Sequence, residues 1–317
     1  MDLLGKSLLE LIDFVSKKRI SYKELNEYFL NRIKKYNPQL NAFITVCSEK
    51  SHPKGVPVAV KDVYCTKGIR TTAASKVLDN FIPPYESTVT KRLQLGGLGI
   101  LGKTNMDAWA HGASTDTSDY GVTRNPWDHS RYPGGSSGGS AAAVSSYLVP
   151  AAIGSDTGGS IRHPAAWCGV VGLKPTYGKV SRYGVIAMGS SWDCPGPMTL
   201  NVEDNAYLLR IIAGNDPFDA TSSNTKVPDY VSELKKPKKY RIGIAESYFE
   251  VVDNQIKTKV KEAIDILHRL GHEIKPIKLL SPKYSISVYT ILQRAEVSSN
   301  LSRYDGIRYG NDRSYFG

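Results

Sequence analysis

The sequence predicts an α/β fold, a β-sheet covered on both faces by helices, and three observations carry that reading. Short apolar, β-branched runs alternate with runs of helical period along most of the chain. Serine residues stand where helices would start. The runs at 56–60 and 149–154 are apolar almost throughout, as strands buried on both faces are. With 317 residues, 41% of them hydrophobic and 22% charged, the chain can bury a core of the size such a sheet needs.

Residues 7–18 carry apolar positions at helical spacing, and Ser21-Tyr-Lys-Glu24 forms a capping box that opens a second helix through Asn37. Residues 41–47 and 56–60 read as strands, which puts Lys61 at the end of a buried one. Ser87 caps a helix over 88–95, 98–101 reads as a strand, and 137–147 as an Ala/Ser-rich helix that begins inside a glycine stretch. The strand at 149–154 then leads directly into Asp156-Thr-Gly-Gly-Ser160. A helix over 202–213 stops at Gly214, and the Ser, Thr, Asn, Pro and Lys of 216–239 mark a surface linker. Residues 240–245, 255–270 and 273–277 form a β-α-β unit, followed by a last helix over 284–301. The chain therefore divides into amino-terminal helices (1–40), a catalytic core (41–215), a linker (216–239) and a second part of the sheet with its helices (240–317), all within one domain.

No apolar run approaches the roughly 20 residues that span a bilayer, and the start Met-Asp-Leu-Leu-Gly-Lys lacks the pattern of a signal peptide, so no membrane association and a cytoplasmic location are expected. Cys47, Cys65, Cys168 and Cys194 show no metal-ligand or disulfide spacing and read as core thiols. The six histidines, at 52, 111, 129, 163, 268 and 272, are scattered; only His268 and His272 have i, i+4 spacing, and Gly271 interrupts it, so no metal site is expected. The net charge of +11 favours proximity to polyanions without naming one, and solvated basic faces such as 235–239 account for part of it.

The chemistry is concentrated in Pro133-Gly-Gly-Ser-Ser-Gly-Gly-Ser140 and Gly154-Ser-Asp-Thr-Gly-Gly-Ser-Ile-Arg162, with Lys61 upstream. A serine hydroxyl at its free pKa is a poor nucleophile and needs a base, and a lysine becomes that base once burial disfavours its charged form. Flexible linkers do not sit between an apolar strand and a helix, so the two stretches read as a Ser-Ser-Lys hydrolase site, for which no histidine is required. Asp62, beside the lysine, points to the opposite face by strand alternation and reads as a loop hydrogen-bond acceptor.

Gly134-Gly-Ser-Ser-Gly-Gly-Ser-Ala-Ala-Ala-Val144 together with Gly154-Ser-Asp-Thr-Gly-Gly-Ser-Ile-Arg162 resembles the amidase signature family, whose fold is a mixed sheet between helices. Thr104-Asn-Met-Asp107, Thr123-Arg-Asn-Pro-Trp127, Cys168-Gly-Val-Val-Gly-Leu-Lys-Pro-Thr-Tyr-Gly178, Val180-Ser-Arg-Tyr-Gly184 and Ser299-Asn-Leu-Ser-Arg-Tyr-Asp-Gly306 are similar to the branch of that family that serves tRNA-dependent amidotransferases. The resemblance implies Ser160 as nucleophile, Ser136 as the bridging serine after a cis Gly135–Ser136 bond, and Lys61 as base. It implies an oxyanion hole made by the backbone N–H groups of Thr157, Gly158, Gly159 and Ser160, and a loop shaped by Asp156 and Arg162. It also implies substrate contacts from the Gly112-Ala-Ser114 segment and from Tyr289, although a tyrosine among apolar residues at helical spacing is commonly a core residue.

In that branch the chain hydrolyses glutamine to supply ammonia for converting Glu-tRNA(Gln) to Gln-tRNA(Gln). It works in a heterotrimer beside a B and a C subunit, with ATP and Mg²⁺ at the partner and no cofactor of its own; this sequence has no phosphate-binding loop. A stand-alone amidase acting on another small or aryl amide, and a catalytically silent truncated scaffold, are the alternatives. Three departures stand out: a shortened connection between Thr45 and Val56, Trp192 in place of a usual leucine, and an ending at Gly317 where members of the family continue, so the domain is expected to be incomplete at its carboxy terminus.

Overall fold

The computed structural model describes residues 2–47, 54–250, 252–306 and 308–310. The shortened connection before Val56, His52 and the terminal Tyr315-Phe-Gly317 lie outside them. Contacts divide the chain into two compact units, 1–231 with 297–317, and 232–296.

The first unit is built on a six-stranded mixed sheet of order β1-β3-β2-β4-β6-β5: β1 (Phe43–Val46), β2 (Val56–Lys61), β3 (Leu98–Thr104), β4 (Ala151–Asp156), β5 (Val171–Gly172) and β6 (Cys194–Thr199). The central strands β3, β2 and β4 are parallel, while β1 and β6 run antiparallel to their neighbours and β5 antiparallel to β6. Every residue of β2, β3 and β4 is buried, which explains why their sequences are continuous rather than alternating.

Helices α1 (Leu8–Ser16) and α2 (Tyr22–Leu40) pack near β2 and open with full capping boxes, Ser7 with Glu10 and Ser21 with Glu24. The Asp204 carboxylate of α6 (Val202–Ile212) accepts the Leu8 and Leu9 N–H groups at 2.8 and 3.0 Å, so the first turn of α1 is capped from far along the chain. Helix α2 runs one turn past the expected end at Asn37, through Pro38, until Asn41 closes it in the left-handed region at φ 50°. Helices α3 (Thr88–Leu95) and α4 (Gly138–Ser145) pack near β3 and β4.

Among the strands and α-helices of this unit, β5, β6 and one helix went unforeseen. Strand β6 carries Pro195 and Pro197, which argue against a strand because they cannot donate to a ladder. They are tolerated because β5 is two residues long and pairs only with Thr199 and Met198, so most of β6 is an edge. The seven-residue α5 (Arg162–Cys168) is too short to show a period.

In the second unit β7 (Arg241–Ile244) and β8 (Glu273–Pro276) form a separate parallel pair joined through α8 (Asn254–Arg269), the anticipated β-α-β unit. The expectation that 240–317 continues the main sheet is therefore corrected: its strands pair only with each other, and their burial is partial. A five-residue helix α7 (Tyr230–Leu234) interrupts the linker, and the last helix, α9, spans Ser285–Leu301. Among the described residues no helix is long and apolar enough to cross a membrane.

Candidate active site

Three segments of the first unit converge. Strand β2 ends on Lys61, the glycine stretch before α4 carries Ser136 and Ser137, and β4 delivers Ser155, Asp156 and the turn 157–161 that holds Ser160. Lys61 Nζ lies 2.7 Å from Ser136 Oγ and 2.9 Å from Ser155 Oγ, and donates to the Ser155 carbonyl at 3.4 Å. Lys61 and Ser136 are fully buried, whereas Ser160 keeps 8% of its surface exposed. The Ser137 N–H donates to the Ser160 carbonyl at 3.1 Å, tying the two serine-bearing loops together, and the Gly135–Ser136 peptide is cis.

Burial pushes the Lys61 amine down to about 7 from an ordinary 10.5, against the opposing pull of Asp107, Asp193 and Asp156. Its immediate oxygen partners are neutral, so nothing in contact offsets the cost of desolvating an ammonium. The three carboxylates are spent on the surrounding loops. Asp107 accepts the Ser114 and Thr115 N–H groups at 3.2 and 2.9 Å and the Thr117 hydroxyl at 3.0 Å. Asp193, raised by burial, accepts the Thr157 hydroxyl at 2.5 Å and the Met188 N–H at 2.9 Å.

Asp156 organises the turn around Ser160. It accepts the N–H groups of Gly159, Ile161 and Arg162 at 2.8, 3.1 and 3.3 Å, and the Arg162 guanidinium grips it through Nε and a terminal nitrogen, both at 3.0 Å. Burial drives its carboxyl up, but these donors hold it below the usual aspartate value. One expectation needs correction: the Gly159 N–H is committed to Asp156 Oδ1 and is not available to an oxyanion.

Glycine is required here by crowding. A Cβ on Gly135 would sit 2.2 Å from Asp107 Oδ2, and one on Gly139 would sit 2.3 Å from the Asn105 carbonyl oxygen. Gly112 packs directly on the Asp107 side chain, and the Ser114 hydroxyl donates to Asp116, so both residues belong to the loop that flanks the glycine stretch. Tyr289 lies on α9 in the second unit, half-buried. Trp192 is half-buried in the turn closed by its own N–H to the Gly189 carbonyl, immediately before Asp193.

Ser155, Asp107 and Asp193 were missed as parts of the site. Ser155 and Asp107 stand inside quoted motifs, but nothing in their spacing shows that they face the lysine; Asp193 carries no local signal at all. Cys65, Cys168 and Cys194 are buried thiols and Cys47 is half-buried.

The Amidase family model matches residues 24–316. One of the subunits of the glutamyl-tRNA(Gln) amidotransferase of Persephonella marina is 48% identical over 98% of this chain and 68% of its own length. The crystal structure of the same-named subunit from Thermotoga maritima superposes with a TM-score of 0.86 at 43% identity, covering 95% of this chain and 68% of that one. A peptide amidase from Stenotrophomonas maltophilia gives 0.84 at 30% identity, covering 96% and 69%. With a family model spanning nearly the whole chain and relatives close to half identical, this chain belongs to the amidase family.

Proposed function

We propose that this chain is the glutamine-hydrolysing subunit of a glutamyl-tRNA(Gln) amidotransferase, releasing ammonia for a partner that amidates Glu-tRNA(Gln). The observation that carries the reading is the 2.7 Å contact between Ser136 and a fully buried Lys61 whose amine is pushed down to about 7. Such a lysine is a usable base at neutral pH without any histidine.

In this mechanism the Ser160 hydroxyl attacks the carboxamide carbon of glutamine. Its proton passes to Ser136 Oγ, which gives its own to neutral Lys61. The oxyanion is held by the backbone amides of Thr157, Gly158 and Ser160, each donor contributing about 3 kcal/mol to the barrier reduction. The tetrahedral adduct then breaks its C–N bond, the leaving nitrogen takes the proton back from Lys61 through Ser136, and ammonia departs. Water attacks the resulting ester, delivers its proton along the same path, and frees glutamate and Ser160. Asp156 and Arg162 keep the turn in shape, and Gly112 and Ser114 contribute to the glutamine pocket. B and C subunits complete a cytoplasmic complex, and ATP and Mg²⁺ belong to the partner. The one-domain organisation with a linker at 216–239 is part of the same reading.

The test is ammonia release from glutamine by the chain co-expressed with candidate B and C subunits, beside Ser160→Ala and with asparagine and an aryl amide as controls. Release that partners stimulate and Ser160→Ala abolishes supports the proposal. Cleavage of another amide but not glutamine identifies a stand-alone amidase, and co-purification without any cleavage identifies a silent scaffold.

A further inference from the structure

The first unit buries a second lysine completely, and the chemistry above makes no use of it. Lys103 stands on β3, paired in register with Val60, one position before the Lys61–Thr104 pair. Its Nζ donates to the Tyr64 carbonyl and, at 2.7 Å, to Thr71 Oγ1, and it lies 3.5 Å from Asp62 Oδ1. Asp62 is equally buried and follows Lys61 directly. Its Oδ2 is bonded to the Thr72 N–H at 2.9 Å and to the Thr72 hydroxyl, while Oδ1 has no hydrogen-bond partner. Lys103 is thus the only cation placed to neutralise Asp62 among the described ion pairs.

The two lysines contrast in their partners. Lys103 faces one carboxylate, with the thiols of Cys65 and Cys47 nearby, whereas Lys61 touches only serine oxygens and feels Asp107, Asp193 and Asp156 at longer range. Burial drives Asp62 up and Lys103 down, and each counters the other's shift by its charge.

We propose that Lys103 is a positioning residue for the base: by neutralising the Asp62 carboxylate within a buried pair, it keeps that charge from recruiting Lys61 as a counter-ion and so leaves Lys61 a free amine. Without Lys103 an uncompensated anion would sit one residue from Lys61 and favour its ammonium form. Without Asp62 an uncompensated cation would remain nearby and disfavour it. The inference rests on Lys61 being the base of the proposed reaction.

The test reads Ser160 reactivity independently of any amide. A fluorophosphonate probe is phosphonylated onto Ser160 Oγ as fluoride leaves and the hydroxyl proton passes toward Lys61, so its second-order rate between pH 5.5 and 9.5 reports the basic form of that lysine. The full chain with its partners is used, and melting temperature is followed in parallel. Lys103→Met is expected to move the acid limb upward by about one pH unit, slowing labelling at pH 7 about fivefold while the rate at pH 9.5 changes little. Asp62→Asn, which supplies the result if Lys103→Met fails to fold, is expected to move the limb downward, and Asp62→Asn/Lys103→Met to return it toward the parent. A uniform loss at every pH, an unmoved limb, or limbs moving the same way in both single variants overturns the proposal. Labelling that behaves as expected while glutamine remains uncut would retain this inference and reject glutamine as substrate; labelling that survives Lys61→Met would reject the base itself.

Discussion

Lys61 titrates near 7 because it is buried, so hydrolysis should climb as the pH rises through neutrality and level off once the amine is free. The same displacement links pH to stability. The unfolded chain holds this proton up to about 10.5 and the folded chain only to about 7, so the group's contribution to stability grows with pH across that window. Lys61→Met should therefore abolish hydrolysis and flatten that part of the stability curve, which denaturant titrations at pH 7 and 9 would detect. Most of this was legible in the chain, because Gly-Gly-Ser repeats beside a strand-end lysine have few chemical uses. The counter-charges were not. Asp107 and Asp193 reach the lysine through tertiary packing, and no spacing along the sequence encodes that.

At the scale of elements, the turn after β4 depends on one carboxylate accepting three backbone amides and an arginine fork. Asp156→Ala leaves the buried Ile161 N–H and the half-buried donors around it without a partner and should cost about 2–4 kcal/mol, together with most of the activity, as measured by thermal unfolding and ammonia release. Because the Asp156 carboxyl is held below its ordinary value, its contribution is present at neutral pH and is lost only as the pH falls below the usual aspartate value and through the lower one it has in the fold. Helices with serine caps and strands with apolar runs were readable from propensity and period. Strand β6 was not, because Pro195 and Pro197 are acceptable only where a neighbour leaves the ladder open, which is a property of β5 rather than of β6.

At the scale of the molecule, the two units differ in how their apolar residues are used. The first unit owns the large core, whereas within 232–296 only Gln293 is buried among the described residues, and Ile256, Ile266 and Leu270 are about half exposed or more. Limited trypsin treatment should consequently cut first after Lys235, Lys238 or Lys239, all exposed, and leave residues 1–231 uncut; gel analysis with mass spectrometry would locate the cut. The β-α-β pattern of that region could be read from its periodicity. Its separation from the main sheet could not, since strand period says nothing of which strand will be the neighbour.

The crowding at Gly135 and Gly139 has a bearing on how such a site can diversify. The glycine stretch is a mould without slack at these two positions, since even a methyl group there would collide with Asp107 or with the Asn105 backbone. Random substitution at these glycines should yield unfolded protein rather than altered preference. New acyl groups would have to be accommodated from the facing loops, so divergence in substrate can proceed while the glycine string stays as it is.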